Sequence, residues 1–90
     1  MYYIYFIQSE KNNKVYVGCT SKHPDVRLKE HNQGSNKFTK SLIPWKLIYY
    51  ESFQCEKCAK NREKFYKSGI GKKVKKLIVE NFSSGYGLIG

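Results

Sequence analysis

The feature that most constrains this chain is a pair of aromatic-rich segments close together near its start. "YYIYFI" covers residues 2–7, a second segment runs over 14–18, "KVYVG", and the polar "SEKNNK" supplies the join. Tyr, Ile, Val and Phe favour a pleated, half-buried surface, and the intervening Asn and Ser supply turn chemistry, so the two segments predict a β-hairpin. With an even-length loop, Tyr5 and Tyr16 project from one face of the hairpin, along with Tyr3 and Ile7.

Further along, Pro24 suits the first position of a helix, Asp25 suits its positive end, and Gly34 is a stop. Within that helix Arg27 and His31 stand at i, i+4 and share a face. Residues 35–44 read as a loop or single turn ending at Pro44. "WKLIYYESF", 45–53, reads as a third strand, with Trp45, Leu47 and Tyr49 on one side and Ile48 and Tyr50 on the other. Apolar residues on both sides predict a central place in the sheet.

"QCEKCAKNREKFYKSG" is a helix closed by Gly69. At about 100° per residue its apolar arc holds Cys55, Cys58, Ala59, Phe65 and Tyr66, with Glu63 about 40° beyond Ala59 on the rim. "KKVKKLIVENF" predicts a last helix with Val74, Leu77, Ile78 and Phe82 facing in. The expected architecture is α+β: a three-stranded, mainly antiparallel sheet flanked by about three helices. It forms one domain over residues 1–82, followed by a flexible Gly/Ser-rich tail at 83–90.

Charge narrows the class of partner. Lys and Arg number 17 against 7 Asp and Glu, a net +10. Such a balance suits a polyanion, because each cation set on a phosphate releases condensed counterions. Between Lys57 and Lys76 nine residues are basic and only Glu63 is acidic. Lys37, Lys40, Lys60, Lys64, Lys67, Lys72 and Lys73 are the candidate nucleic-acid contacts, with DNA and RNA both open. The bland alternative for these lysines is a solvated face. The basic stretch lacks the broad Trp/Phe/Leu face of a membrane-surface helix, and no apolar run reaches membrane-spanning length.

The three cysteines, Cys19, Cys55 and Cys58, fit reduced thiols in the cytoplasm. Cys55 and Cys58 form half of a zinc-ligand pattern without a second pair, so they read as small buried hydrophobes.

Two tyrosines on one sheet face, an Arg and a His one helical turn apart, and a carboxylate on another helix together suit phosphodiester hydrolysis. An Arg stabilises charge on the phosphate oxygens, and a carboxylate can hold a hydrated Mg²⁺. A tyrosine, ordinarily ionising near pH 10, serves as base only where cations lower it. Each residue also has an ordinary structural explanation: core aromatics, a surface or phosphate-positioning Arg, a structural hydrogen-bonding His, a helix-surface acid. On spacing alone the reading stops at a basic α+β domain that binds nucleic acid.

In order and motif, however, the chain resembles the GIY-YIG nuclease domain, whose superfamily includes the amino-terminal nuclease domain of the bacterial excision-repair endonuclease. It looks most like the small bacterial single-domain members. The first motif reads Tyr3-Ile4-Tyr5, with Tyr3 in the place of the motif's glycine. The second reads Tyr16-Val17-Gly18. The Arg and His of the family helix match "RLKEH", and the later metal-binding Glu matches Glu63 within "AKNREKFYKSG".

The resemblance implies a metal-dependent DNA endonuclease, acting by single-strand nicking and selecting structure in repair or recombination. Tyr5 and Tyr16 would position or deprotonate water, Arg27 would stabilise the phosphorus centre, and His31 would support it or the leaving group. Glu63 would be the single protein ligand of one Mg²⁺ or Mn²⁺. Gly18 would let the strand end turn. No second DNA-binding domain is visible, so substrate choice falls to the basic helices. The alternatives are a non-catalytic nucleic-acid-binding module and an interaction subunit of a repair complex.

Overall fold

A computed structural model describes residues 1–82; the expected tail at 83–90 lies outside the described residues. Strand β1 (Tyr2–Ser9) turns into β2 (Val15–Thr20) as an antiparallel hairpin, with Ile7 opposite Tyr16 and Tyr5 opposite Gly18. The Ser9 amide donates to the Lys14 carbonyl, which leaves the even loop of Glu10 to Asn13 between them. Asn13 takes a φ of 64° there, a conformation Asn tolerates better than most residues. The parity expectation is therefore met, and Tyr5 and Tyr16 share a face.

Helix α1 (Pro24–Asn32) follows, with Pro24 in its first turn and the His23 side chain accepting from the Asp25 amide. Gly34 sits just beyond it at φ 83°. A short 3₁₀ turn (Lys40–Leu42) leads through a cis Ile43–Pro44 bond into β3 (Trp45–Phe53). Helices α2 (Glu56–Lys67) and α3 (Gly69–Phe82) complete the described chain.

The sheet order is β2-β1-β3 with both pairings antiparallel. This corrects the expectation for the third strand: β1, not β3, is central. Every β1 residue from Ile4 to Ser9 is buried, whereas β3 alternates between buried and open positions. Ile4, Phe6 and Ile7 are each 0% exposed, and each such side chain contributes about 1.5–3 kcal/mol. The strand that fills both cores must lie in the middle.

The expected alternation along β3 also fails at one point. Phe6 pairs with Tyr49 and Ile7 with Leu47, so Ile48 is an extra residue in a bulge. Beyond it the facing reverses. Ile48 and Tyr49 pack with Ile4, Phe6, Val17, Ala59 and Tyr66 beneath α2 and α3, while Trp45 and Leu47 join Tyr5, Ile7, Tyr16 and Leu28 beneath α1.

Two helix expectations need correction. Cys55 and Cys58 are exposed, because the buried stripe of α2 runs through Ala59 and Tyr66 and leaves the first turn outside it. In α3, Leu77 is 60% exposed, and Val79 packs inward with Val74 and Ile78 instead. The α2–α3 junction sets that rotation. A Cβ on Gly71 would lie 1.5 Å from the Phe65 carbonyl oxygen, so only glycine lets α3 start this close to the end of α2. Ser68 caps the new helix, its hydroxyl accepting from the Gly71 amide at 3.2 Å.

Candidate active site

A cleft of about 260 Å³ opens along the free edge of β2, lined by Tyr5, Tyr16, Gly18, Arg27, Lys60 and Glu63 among others. Arg27 comes from α1 on one sheet face and Glu63 from α2 on the other, so the two meet across the edge strand. Six positions expected from the sequence are thus together: two phenols, the glycine, the guanidinium, the carboxylate and the Lys60 ammonium. His31 is not among the lining residues, and it is wholly buried.

Gly18 has a different part from the turn expected of it. It lies inside β2, and a Cβ there would sit 2.3 Å from the Tyr5 hydroxyl. Its missing side chain is the channel through which the Tyr5 ring crosses β2 towards the cleft. Beneath, the Tyr5 hydroxyl lies 2.8 Å from His31 Nε2, and His31 Nδ1 lies 2.8 Å from Thr39 Oγ1. Thr39 donates its own proton to the Asn36 carbonyl oxygen. It therefore accepts from His31 Nδ1–H, which leaves Nε2 to accept from Tyr5. Burial, with Arg27 nearby, lowers the His31 pKa to about 4, so the imidazole is neutral at pH 7 and suits that chain. Burial likewise pushes the Tyr5 phenol up to about 12, against the pull of Arg27.

Helix α1 is anchored so that these groups hold their places. Asn32 bonds both ways with the Trp45 backbone, donating to its carbonyl at 3.0 Å and accepting from its amide at 2.6 Å. Trp45 Nε1 in turn donates to the Thr39 carbonyl at 2.8 Å. Arg27 is steadied by Glu30, 2.8 Å from its guanidinium, and Lys22 holds the other oxygen of that carboxylate. These two hydrogen bonds keep the Glu30 carboxyl below its usual range, Lys22 having the larger effect. The sequence reading missed Glu30; its i, i+3 spacing from Arg27 was the available signal.

Of the candidate nucleic-acid lysines, Lys60 lines the cleft and Lys67 pairs with Glu63 at 3.3 Å. Lys37, Lys40, Lys64, Lys72 and Lys73 are exposed away from the cleft lining. Glu56, also missed, lines the cleft one turn before Lys60.

Comparison with known proteins agrees with this geometry. Residues 1–77 match the family model described as the GIY-YIG catalytic domain. The chain belongs to the GIY-YIG family. It is 35% identical over 68 residues to a UPF0213 protein of Clostridium perfringens (strain 13 / Type A), covering 74% of this chain and 71% of that one. It is 33% identical over 79 residues to the UPF0213 protein YazA of Bacillus subtilis (strain 168), covering 87% and 78%. A UPF0213 protein of Bacillus licheniformis is 30% identical over 82 residues, covering 90% and 84%. No solved structure matches.

GIY-YIG membership implies an endonuclease-type function on nucleic acid, and GIY-YIG nucleases generally use a divalent metal. The cleft suits a hard cation. Its donors are the Glu63 and Glu56 carboxylates and the hydroxyls of Tyr5, Tyr16, Thr20 and Ser21. Among the described residues no group of three His, Cys, Asp or Glu could enclose a metal. Magnesium, which keeps several waters and takes one or two carboxylates, fits such an open oxygen set. No described helix is long and apolar enough to cross a membrane.

Proposed function

We propose that this GIY-YIG protein is a metal-dependent DNA endonuclease that nicks one strand by hydrolysis, choosing its targets by DNA structure in repair or recombination. What supports the reading is the meeting of Tyr16, Arg27 and Glu63 in one cleft at the β2 edge, beside a domain of net charge +10. Arg27 binds the scissile phosphate and stabilises the charge that builds on its oxygens. Tyr16, half-buried and in the cleft, orients the attacking water and, as the phenolate left after its own proton has gone to solvent, takes the water's proton. Tyr5, held by His31, orients the Arg27 guanidinium through its hydroxyl and helps to position the water. His31 is a positioning residue acting through Tyr5. Glu63 holds one Mg²⁺ or Mn²⁺, which when bound supplies Lewis-acid stabilisation of the phosphate. Lys60 and the outer lysines grip flanking phosphates without reading bases. The protein works in the cytoplasm, where its three thiols stay reduced.

The test is nicking of supercoiled and branched DNA with and without Mg²⁺. Glu63→Ala and Arg27→Ala should each lower the rate by at least roughly 10²-fold, the size expected when a transition-state charge partner is lost, while DNA retention on a gel persists. Salt-sensitive DNA binding with no nicking in any divalent ion, and indifference to Glu63→Gln, would make the protein a binding module instead.

A further inference from the structure

We infer that Tyr3, His23 and Tyr50 form a platform on which one unpaired base stacks beside the cleft, so that the substrate is nucleic acid with a single-stranded nucleotide next to the scissile phosphate. The inference rests on the nuclease reading and names its substrate class.

The three rings form a closed cluster: Tyr3 to His23 at 5.7 Å, Tyr3 to Tyr50 at 6.0 Å, His23 to Tyr50 at 5.8 Å between centroids. Tyr50 is 46% exposed and the His23 side chain 48%; Phe38 is more exposed, at 82%, but among the described residues has no aromatic ring beside it in such a cluster. Helix α1 leaves this end of the sheet open. It packs Leu28 over Tyr16, Ile7 and Trp45, while Val26 in its first turn is exposed.

The rings are also fixed in place. Tyr3 stands in the central strand, between Thr20 of β2 and Ser52 of β3, and Tyr50 lies opposite Tyr5. His23 Nδ1 accepts the Asp25 amide at 3.1 Å, which ties the imidazole to the start of α1. A rigid aromatic surface loses little entropy on binding, and a base presents a π-face whatever its identity.

Position ties the platform to the chemistry. Tyr3 and Tyr5 are two residues apart on one face of β1, a step of about 6.6 Å, and Tyr3's partner Thr20 is itself a cleft residue. A strand whose phosphate sits at Arg27 therefore carries an adjoining base over the rings. In a regular duplex that base is paired and stacked within the helix; only an unpaired one can turn out onto the protein. The net charge of +10 favours this polyanion over an apolar protein partner.

The experiment is fluorescence anisotropy with a labelled single-stranded oligonucleotide and its blunt duplex, in EDTA so that nothing is cut. Tyr50→Ala should weaken single-strand binding roughly 5- to 150-fold, the range for one lost stacking contact, with duplex binding unchanged, and Tyr50→Phe should bind as the parent does. His23→Asn keeps an N-cap acceptor while removing the ring, and should show the same selective loss. Thermal melting of each variant identifies any that fail to fold. Unchanged single-strand affinity in both folded variants, or equal losses on single strand and duplex, would overturn the platform. Selective losses in a protein that never cuts DNA would leave the platform standing and remove the nuclease reading; nicking with unaltered binding would do the reverse.

Discussion

Tyr5 and Tyr66 sit on opposite faces of the same sheet, each 1% exposed and each pushed up by burial to about 12. Their surroundings differ. Tyr66 donates to the Glu51 carboxylate, Tyr49 donates to the same oxygen at 2.6 Å, and Arg62 Nε reaches the other oxygen at 3.1 Å. The Arg62 guanidinium lies 4.7 Å from the ring centroids of both Phe65 and Tyr66. Burial raises the Glu51 pKa, but these three donors outweigh it and hold the carboxyl below its usual range.

On the other face Tyr5 bonds to a neutral histidine below, and at the open edge of β2 Arg27 from that face meets Glu63 from the α2 side. The acid beneath α2 is satisfied on both oxygens; Glu63, in the cleft, has the exposed Lys67 as its ion-pair partner. A saturated carboxylate cements a core, whereas one with free lone pairs can hold a cation and its waters. Burial and a raised tyrosine pKa do not by themselves mark a site. Access does.

The sharpest way to break this contrast is to remove one hydroxyl from each face. Tyr16→Phe should cut the single-turnover nicking rate by about 10²–10⁴-fold, the usual worth of a general base, at unchanged melting temperature. Tyr49→Phe should leave the rate alone and lower stability by about 1 kcal/mol. Equal rates for the Tyr16 variant and the parent would take that phenol out of the base role.

The two close-packed glycines extend the comparison at a smaller scale. Overpacking typically costs about 1–3 kcal/mol. Gly71→Ala should reach or exceed the top of that range in a denaturant melt, because its obstacle is a backbone carbonyl. Gly18→Ala meets the buried Tyr5 ring rather than a backbone carbonyl, so it should cost somewhat less stability yet disturb nicking by displacing Tyr5. A Gly18→Ala variant with full activity would show that the Tyr5 hydroxyl needs no fixed place.

A different kind of effect is a pH dependence. His31 binds a proton less readily folded, near pH 4, than unfolded, near 6.5. Between those values the unfolded chain holds more protons, so stability is full above pH 6.5 and declines as pH falls towards 4. Melting temperatures across that window should fall less steeply in His31→Gln than in the parent. Identical slopes would mean that some other group, Glu51 being the nearest rival, carries the acid sensitivity.

How much of this was legible in advance can be judged residue by residue. The hairpin, its parity and the shared face of Tyr5 and Tyr16 followed from aromatic patterning and an even loop. The spacing of Arg27 and His31 followed from helical periodicity, and the family resemblance rested on motif order. The place of β3 at the edge did not follow, because apolar residues on both sides describe equally a central strand and an edge strand with a bulge. The exposure of Cys55, Cys58 and Leu77 did not follow either, since helix rotation depends on how closely Gly71 lets α3 approach Phe65.

By itself, then, the order of residues determined the elements, the balance of charge and the set of side chains able to act on a phosphate, since these depend on neighbours a few positions away. Tertiary structure decided which groups face the cleft and which only support it. His31 was drawn under Tyr5, Gly18 was opened beneath a ring, and Glu63 was brought to Arg27 around a strand edge. The physical reason is that such placements depend on packing between segments far apart in the chain, where a shift of an ångström or a single bulge reverses which side a residue faces.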